Sequence, residues 1–350
     1  MPSTFELLKT LTEAPGIAGD EDRVRATIIE AVTPLVDEVR TDAMGNLIAL
    51  KRGRGDGAQR VMIAAHMDEI GLMVTGFDQG FVRFTNVGGI DWKVMPSQEV
   101  VVHGRDDLPG IVASRPPHVL PAAERGKPMP KDKLFIDVGL PAEDLMGQIG
   151  IGDFISISLE TIQLGEKYAT GKAFDNRACV TAMILMLHQL QNISHQWDLY
   201  AVATVQEEIG LRGAVTSTFG VQPSVGIALD VTFARQPGAG DEETVEWDKG
   251  PAIALGPNMH PTLHERLVQT AKSSEIPYVI EVLPGNSGTD AWAMQVTQAG
   301  IPTGLLSIPI RNMHTPAETV VLKDIERTAR LLASFVAGLD GETMDQLQLP

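Results

Sequence analysis

Five short segments carry side chains able to hold cations and to move a proton. They are His66-Met67-Asp68-Glu69, Asp175 within Gly171-Lys172-Ala173-Phe174-Asp175-Asn176, Glu207-Glu208, Asp230 and His314. Gathered in one place they would supply two imidazoles and several carboxylates, with no thiolate. That donor set suits zinc, cobalt or manganese better than a soft metal. Asp68, Asp175, Glu207, Glu208 and Asp230 would bring a formal charge of about −5 into one cleft, and like charges that close force some protons back on. Two divalent cations would reduce it to about −1. Set roughly 3.5–4 Å apart, they would also polarise a carbonyl and activate water.

The spacings suggest roles. His66 and Asp68 lie two residues apart and share a face if the strand persists. The imidazole can then meet a cation while Asp68 orients it, or a neighbour, from behind. Glu207 and Glu208 are adjacent and point apart in extended chain. One can bind a cation while the other takes a proton from water, with partial burial raising its pKa from near 4.3 toward that of a useful base. Taken singly, each residue has a plainer reading. His66 alone is structural, a Glu-Glu pair is a solvated surface, Asp175 caps a helix, Asp230 opens a turn, and His314 carries little information. Their joint placement is what argues for chemistry. His188 and His195 read as structure or surface, while His118, His260 and His264 stand as candidates for an outer layer.

An α/β frame must position these groups. The segments Val61–Ala65, Leu199–Val205, Val225–Leu229 and Thr303–Ile308 read as buried strands, and His66, Glu207-Glu208, Asp230 and His314 follow them directly or within a few residues. Ligands of open α/β sheets bind outside the carboxyl ends of the strands, so residues distant in sequence can meet there. Helices are predicted from Ser3-Thr4-Phe5-Glu6, which has capping-box spacing, from about Asp20, from about Asn176, over Thr262–Lys272 and over Ile325–Val336. Asn46–Leu50 and Ile276–Val282 complete the predicted strands. The alternation implies a mixed, mostly parallel sheet covered by helices on both faces. From Gly71 to about Glu160 helical periodicity is scarce, and short β-rich runs alternate with Gly and Pro. We read 71–163 as a small inserted β domain and 1–70 with 164–350 as the domain that carries the chemistry.

Composition narrows the function classes. The chain has 350 residues, 43% of them hydrophobic, with 28 Lys and Arg against 45 Asp and Glu for a net charge of −17. That charge disfavours nucleic acid and anionic membrane surfaces as partners. One cysteine, Cys179, cannot form an internal disulfide, which fits a reducing cytoplasm. No signal-peptide pattern and no uncharged apolar run of about 18 residues is visible.

The motifs resemble those of the tetrahedral (TET) metalloaminopeptidases, the glutamyl and leucyl aminopeptidase family once also labelled endoglucanases. The resemblance rests on Ala65-His66-Met67-Asp68-Glu69-Ile70-Gly71, Ala173-Phe174-Asp175-Asn176-Arg177, Gln206-Glu207-Glu208-Ile209-Gly210, Ala228-Leu229-Asp230-Val231-Thr232, Gly288-Thr289-Asp290-Ala291 and Met313-His314-Thr315-Pro316-Ala317-Glu318. It runs nearly end to end. It implies a co-catalytic zinc peptidase fold with a PDZ-like insert used in subunit contacts. It also implies two divalent metal ions per subunit, zinc first and cobalt as the alternative. Asp175 would bridge them, His66 and Asp230 would complete one site, and Glu208 and His314 the other. Glu207 would be the general base and Asp68 would support His66. Peptide substrates and a dimer that builds a homododecamer are the implied partners.

Other readings differ by test. A glycoside hydrolase also needs paired carboxylates, but not His66 and His314, and aromatics make up only 5% of the chain. A di-metal deacylase or carboxypeptidase would differ in which end of the peptide it attacks. A binding protein would not need the spare carboxylate of the Glu207-Glu208 pair. The substrate residue preferred at the amino end is not legible in the sequence.

Overall fold

The computed structural model describes residues 3–347 apart from 123, 124, 126 and 128. Ser3 caps the first helix, α1 (Thr4–Glu13): its hydroxyl accepts from the Glu6 N–H, and the Glu6 carboxylate accepts from the Ser3 N–H. A cap of this kind contributes about 1 kcal/mol. After α2 (Asp22–Val32) come β1 (Glu38–Thr41), β2 (Leu47–Lys51) and β3 (Arg60–His66). The chain then runs through β4 (Gly71–Asp78), β5 (Phe81–Val87), β6 (Glu99–His103), β7 (Asp107–Ala113), β8 (Phe135–Asp137), α3 (Ala142–Gln148) and β9 (Phe154–Ile157). It continues with β10 (Ile162–Leu164), β11 (Tyr168–Gly171), α4 (Phe174–Gln189), β12 (Asp198–Thr204), α5 (Arg212–Val221), β13 (Val225–Phe233) and β14 (Ala252–Leu255). The last elements are α6 (Pro261–Ser273), β15 (Val279–Val282), α7 (Asp290–Gln295), β16 (Thr303–Arg311), β17 (Glu318–Val321), α8 (Leu322–Ala337) and α9 (Thr343–Gln346).

Two sheets result. Strands β4 to β9 close into a six-stranded barrel around Leu72, Val74, Val82, Val102, Ile136 and Ile155. The other eleven strands form one sheet in the order β1-β2-β12-β3-β13-β16-β17-β11-β10, with β14 and β15 attached through β16. Its centre is parallel, with β12, β3, β13 and β16 running together, and so is the β14–β15 pair; β1, β2, β17, β11 and β10 pair antiparallel, as does β14 with β16, so the sheet is mixed and not mostly parallel. The reason is loop length. Short connections such as 42–46 and 165–167 can only return a strand antiparallel, whereas parallel neighbours need a crossover. Two smaller expectations also shift: the strand expected from Ile276 begins at Val279, and residues 71–163 include the short helix α3.

Residue parity sets what lies on each face. Val61, Ile63 and Ala65 of β3 join the core formed with α1, α2, α4, α6 and α8. Met62 and Ala64 join the opposite core, with Ala214 of α5 and Ala291 and Met294 of α7. Helix α4 is buried from Phe174 to Leu187 with no solvent-facing stripe, the pattern of a helix enclosed on all sides. Among the described residues no helix is long and apolar enough to cross a membrane.

Candidate metal centre

Parity carries through to the strand ends. His66 shares the face of Met62 and Ala64, and Asp230 shares the face of Ala228, which pairs with Ala64. Asp230 lies inside β13, three residues short of its end, and not at the strand terminus as expected. The bend at the start of α4 brings Asp175 over the same sheet edge; its peptide bond to Asn176 is cis. The loop after β12 supplies Glu207 and Glu208, and the turn after β16 supplies His314, whose φ is +60°. All seven residues singled out in the sequence therefore meet.

Asp175 lies at the middle. Its Oδ1 is 3.0 Å from His66 Nε2 and its Oδ2 is 3.2 Å from His314 Nε2. On the first side, Asp230 Oδ1 and Glu207 Oε2 each lie 3.8 Å from His66 Nε2. On the second, Glu208 Oε2 lies 3.6 Å from His314 Nε2. His66, Asp175 and Asp230 offer ligand atoms all within 4.8 Å of one another, and so do Asp175, Glu208 and His314. Asp175 belongs to both groups. His66, Glu207 and Glu208 make a third such group, which overlaps the other two without including Asp175.

The charges are poorly compensated by protein alone. Burial first, and the carboxylates Asp230, Asp290 and Asp175 next, push Glu207 up to about 9 against the pull of His66. Burial and the charge of Asp175 raise Glu208 and Asp230 well above the ordinary carboxylate range. Burial would also raise Asp175, but hydrogen bonds from His314 and His66 reverse it and hold that carboxyl low. Burial opposes charge on His66, and Glu207, Asp175 and Asp68 overcome it, raising the imidazole well above its usual value. A cluster with more carboxylates than two imidazoles can neutralise is the environment that divalent cations relieve, so the donor set fits them.

Several further residues of the quoted motifs, to which the sequence assigns no role, support the centre. Glu318 is buried; one carboxylate oxygen accepts the Asp175 N–H and the other accepts the His314 N–H, both at 3.0 Å. Asp290, on the first turn of α7, accepts the Thr204 hydroxyl. Glu69 accepts from Lys172 Nζ at 2.6 and 2.7 Å and from Arg177 at 3.3 Å, and Arg177 also donates to the carbonyls of Met67, Leu11, Ala14 and Gly16. These bonds tie α1 and α4 to the loop that carries Asp68. The barrel reaches the centre too, for a Cβ on Gly89 would lie 3.0 Å from His314 Nδ1. By contrast, His118 is exposed, and His264 Nδ1 donates to the Ala254 carbonyl. Neither they nor His260 line the cleft of about 810 Å³ that opens on Asp175, Glu207, Glu208, Asp230 and His314.

The M42 glutamyl aminopeptidase family matches residues 45–331. The chain belongs to this family. The lysyl aminopeptidase of Pyrococcus furiosus is 37% identical over 341 residues, 96% of this chain and 97% of that one. A TET aminopeptidase structure from Thaumarchaeota archaeon SCGC AB-539-E09 superposes with a TM-score of 0.93 at 33% identity, covering 99% of both chains. The Pyrococcus horikoshii TET1 peptidase, which can assemble into a tetrahedron or a large octahedral shell, superposes with a TM-score of 0.85 at 33% identity over 96% of this chain and 100% of that one. As an M42 family member the chain is an aminopeptidase, a peptide hydrolase that works with divalent metal ions.

Proposed function

We propose that the chain removes residues from the amino end of peptides with the help of two divalent cations. Asp175 would serve both, with His66 and Asp230 holding one and Glu208 and His314 the other. Zinc is the first choice and cobalt the alternative, since both accept imidazole and carboxylate. The observation that carries this reading is the pair of contacts from the two oxygens of one carboxylate to two imidazoles, 3.0 and 3.2 Å. Such cations supply Lewis-acid polarisation of the scissile carbonyl and acidify water.

The protein's own groups do the rest. The carbonyl oxygen of Asp68 lies 3.2 Å from His66 Nδ1, which fixes that nitrogen as the donor and turns Nε2 toward the centre. Glu207, unneeded as a ligand, takes a proton from the attacking water and returns it to the leaving amine. Burial and the neighbouring carboxylates raise its pKa in the cation-free site, and the charge of bound cations would draw it back toward a working range. A glycosidase has no use for two imidazoles clasping one carboxylate, and that disfavours the rival.

We read 71–163 as the inserted unit through which subunits meet, and dimers building a homododecamer as the assembly, following the resemblance. A cytoplasmic location goes with the single buried cysteine. The test is chelation followed by add-back. Loss of amino-acid release from a set of aminoacyl p-nitroanilides, and its return with zinc or cobalt, is the expected result. Chelator-resistant cleavage of peptides, or of cellulose, would sink the proposal. Native mass measurement reads the assembly.

A further inference from the structure

We infer that the free edge of β15 binds the main chain of a peptide substrate beyond its first residue, as an added strand, so that longer peptides are favoured over the shortest ones. This rests on the aminopeptidase reading above. Strand β15 pairs with β14 alone among the described residues. The Val279 N–H donates to the Pro251 carbonyl at 3.1 Å, and the Leu283 N–H donates to the Leu255 carbonyl at 2.9 Å. Alternate residues of a strand turn their main-chain groups to the same side, so Val279, Glu281 and Leu283 face β14. Ile280 and Val282, both exposed, turn their N–H and C=O groups the other way, and none of these is bonded within the described residues.

That side is the cleft. Ile280, Glu281, Val282 and Leu283 all line the cavity of about 810 Å³ that opens on the metal centre. Side chains of a strand alternate between faces, so a cavity over one face meets every second residue. A cavity that meets four in a row runs along the edge. The edge is also tied to the centre. The Glu281 carboxylate accepts the hydroxyls of Thr232 and Ser307, and Thr232 lies two residues, about 6.6 Å, past Asp230 on the same face of β13. At about 3.3 Å per extended residue, a peptide whose amino end sits at Asp230 meets the edge with roughly its third to fifth residue. Pro277 and Pro284 bracket the strand. They keep the free edge to a few residues, which blunts pairing with a whole strand of another chain and leaves a place for a short peptide. Strand addition takes its affinity from the main chain, which suits an enzyme that meets each residue of a peptide in turn.

The experiment uses alanine peptide amides of two to six residues that share one first residue, the best of an aminoacyl p-nitroanilide panel, and therefore one scissile bond. The metal-loaded protein cleaves them, and initial release of the first residue is followed by mass spectrometry. We expect kcat/KM to rise at least tenfold from two residues to five, the worth of one or two main-chain hydrogen bonds. N-methylation of one main-chain nitrogen among residues three to five removes a donor and lowers kcat/KM for that peptide at least fivefold. Proline is tolerated at an edge position whose N–H is unused, so Ile280→Pro and Val282→Pro leave the pairing with β14 intact. They should lower kcat/KM at least tenfold for the five-residue amide and less than twofold for the two-residue amide. Ile280→Val and Val282→Thr keep the N–H and should change neither. Equal kcat/KM at every length overturns the inference, as does an N-methyl scan without effect or a loss in the proline variants that is the same at every length. So does a native mass that the proline variants shift while the length dependence stays, for the edge would then belong to a second copy of the chain. The N-methyl scan uses the wild-type protein and decides the matter where a proline variant fails to fold. A metal-loaded protein that leaves every amide of the series uncut would instead strike the aminopeptidase reading itself.

Discussion

The Asp68 carboxylate accepts the backbone N–H of Glu207 at 3.1 Å, and its other oxygen accepts that of Glu208 at the same distance. The sequence suggested that Asp68 steadies His66. In the structure its carbonyl faces His66 Nδ1 and its carboxylate holds the loop that carries both glutamates, so one residue registers two elements. Asp68→Asn keeps the size but turns a donor toward one of the two N–H groups. We expect kcat to fall about 10–100-fold, with a comparable loss of metal affinity, as for other groups that orient ligands. Steady-state rates combined with metal analysis check this. Unchanged turnover would show that the Glu207-Glu208 loop holds its place unaided.

Glu207 stands at 3.8 Å from His66 Nε2 and outside both groups that share Asp175. Glu207→Gln preserves its shape and removes its basicity. Turnover is expected to drop by about 10²–10⁴-fold, the range for a lost general base, with metal content close to that of the wild type. If metal is lost in proportion to activity, Glu207 is a ligand and the base lies elsewhere.

How much of this was legible beforehand follows from what each residue needs around it. His66 and Asp230 could be found because apolar β-runs flank them, and a polar group there has few structural uses. Glu318 is visible only as the last residue of the Met313-His314-Thr315-Pro316-Ala317-Glu318 motif, and its role is not: that lies in two backbone N–H groups, one of them far away in sequence. The parallel centre of the sheet was visible in its helix-linked strands. Its antiparallel flanks are visible only in the short loops.

Glu318 joins the segments that carry Asp175 and His314. Burial, and then the negative charge of Asp175, raises its carboxyl well above the usual range, against the pull of the N–H groups it accepts. Glu318→Ala leaves both N–H groups buried without an acceptor and frees the turn at His314. Metal affinity is expected to fall about 10–100-fold, read as residual metal after dialysis against graded chelator. Retention equal to the wild type would mean that the two segments are held by packing alone.

Glu21 gives a pH dependence whose sign can be worked out. It is 5% exposed, and burial foremost, with the charge of Asp68 behind it, raises its carboxyl from 4.5 to about 7 despite N–H groups from Gly19 and Gln206. Between those two values the native state holds the proton and the unfolded chain has released it. The native state therefore binds more protons, and stability falls as pH rises through that window. The stabilising term is fully present below about 4.5 and gone above about 7. Glu21→Gln keeps an amide oxygen for the N–H groups and does not titrate. Relative to the wild type it should gain about 1–3 kcal/mol between pH 5 and pH 8. Urea unfolding of both proteins across that range, at equal chain and metal concentrations, measures the difference, and other titrating groups cancel in it. Parallel stability curves would mean that Glu21 is ionised in the native state throughout, its burial offset by the N–H groups it accepts.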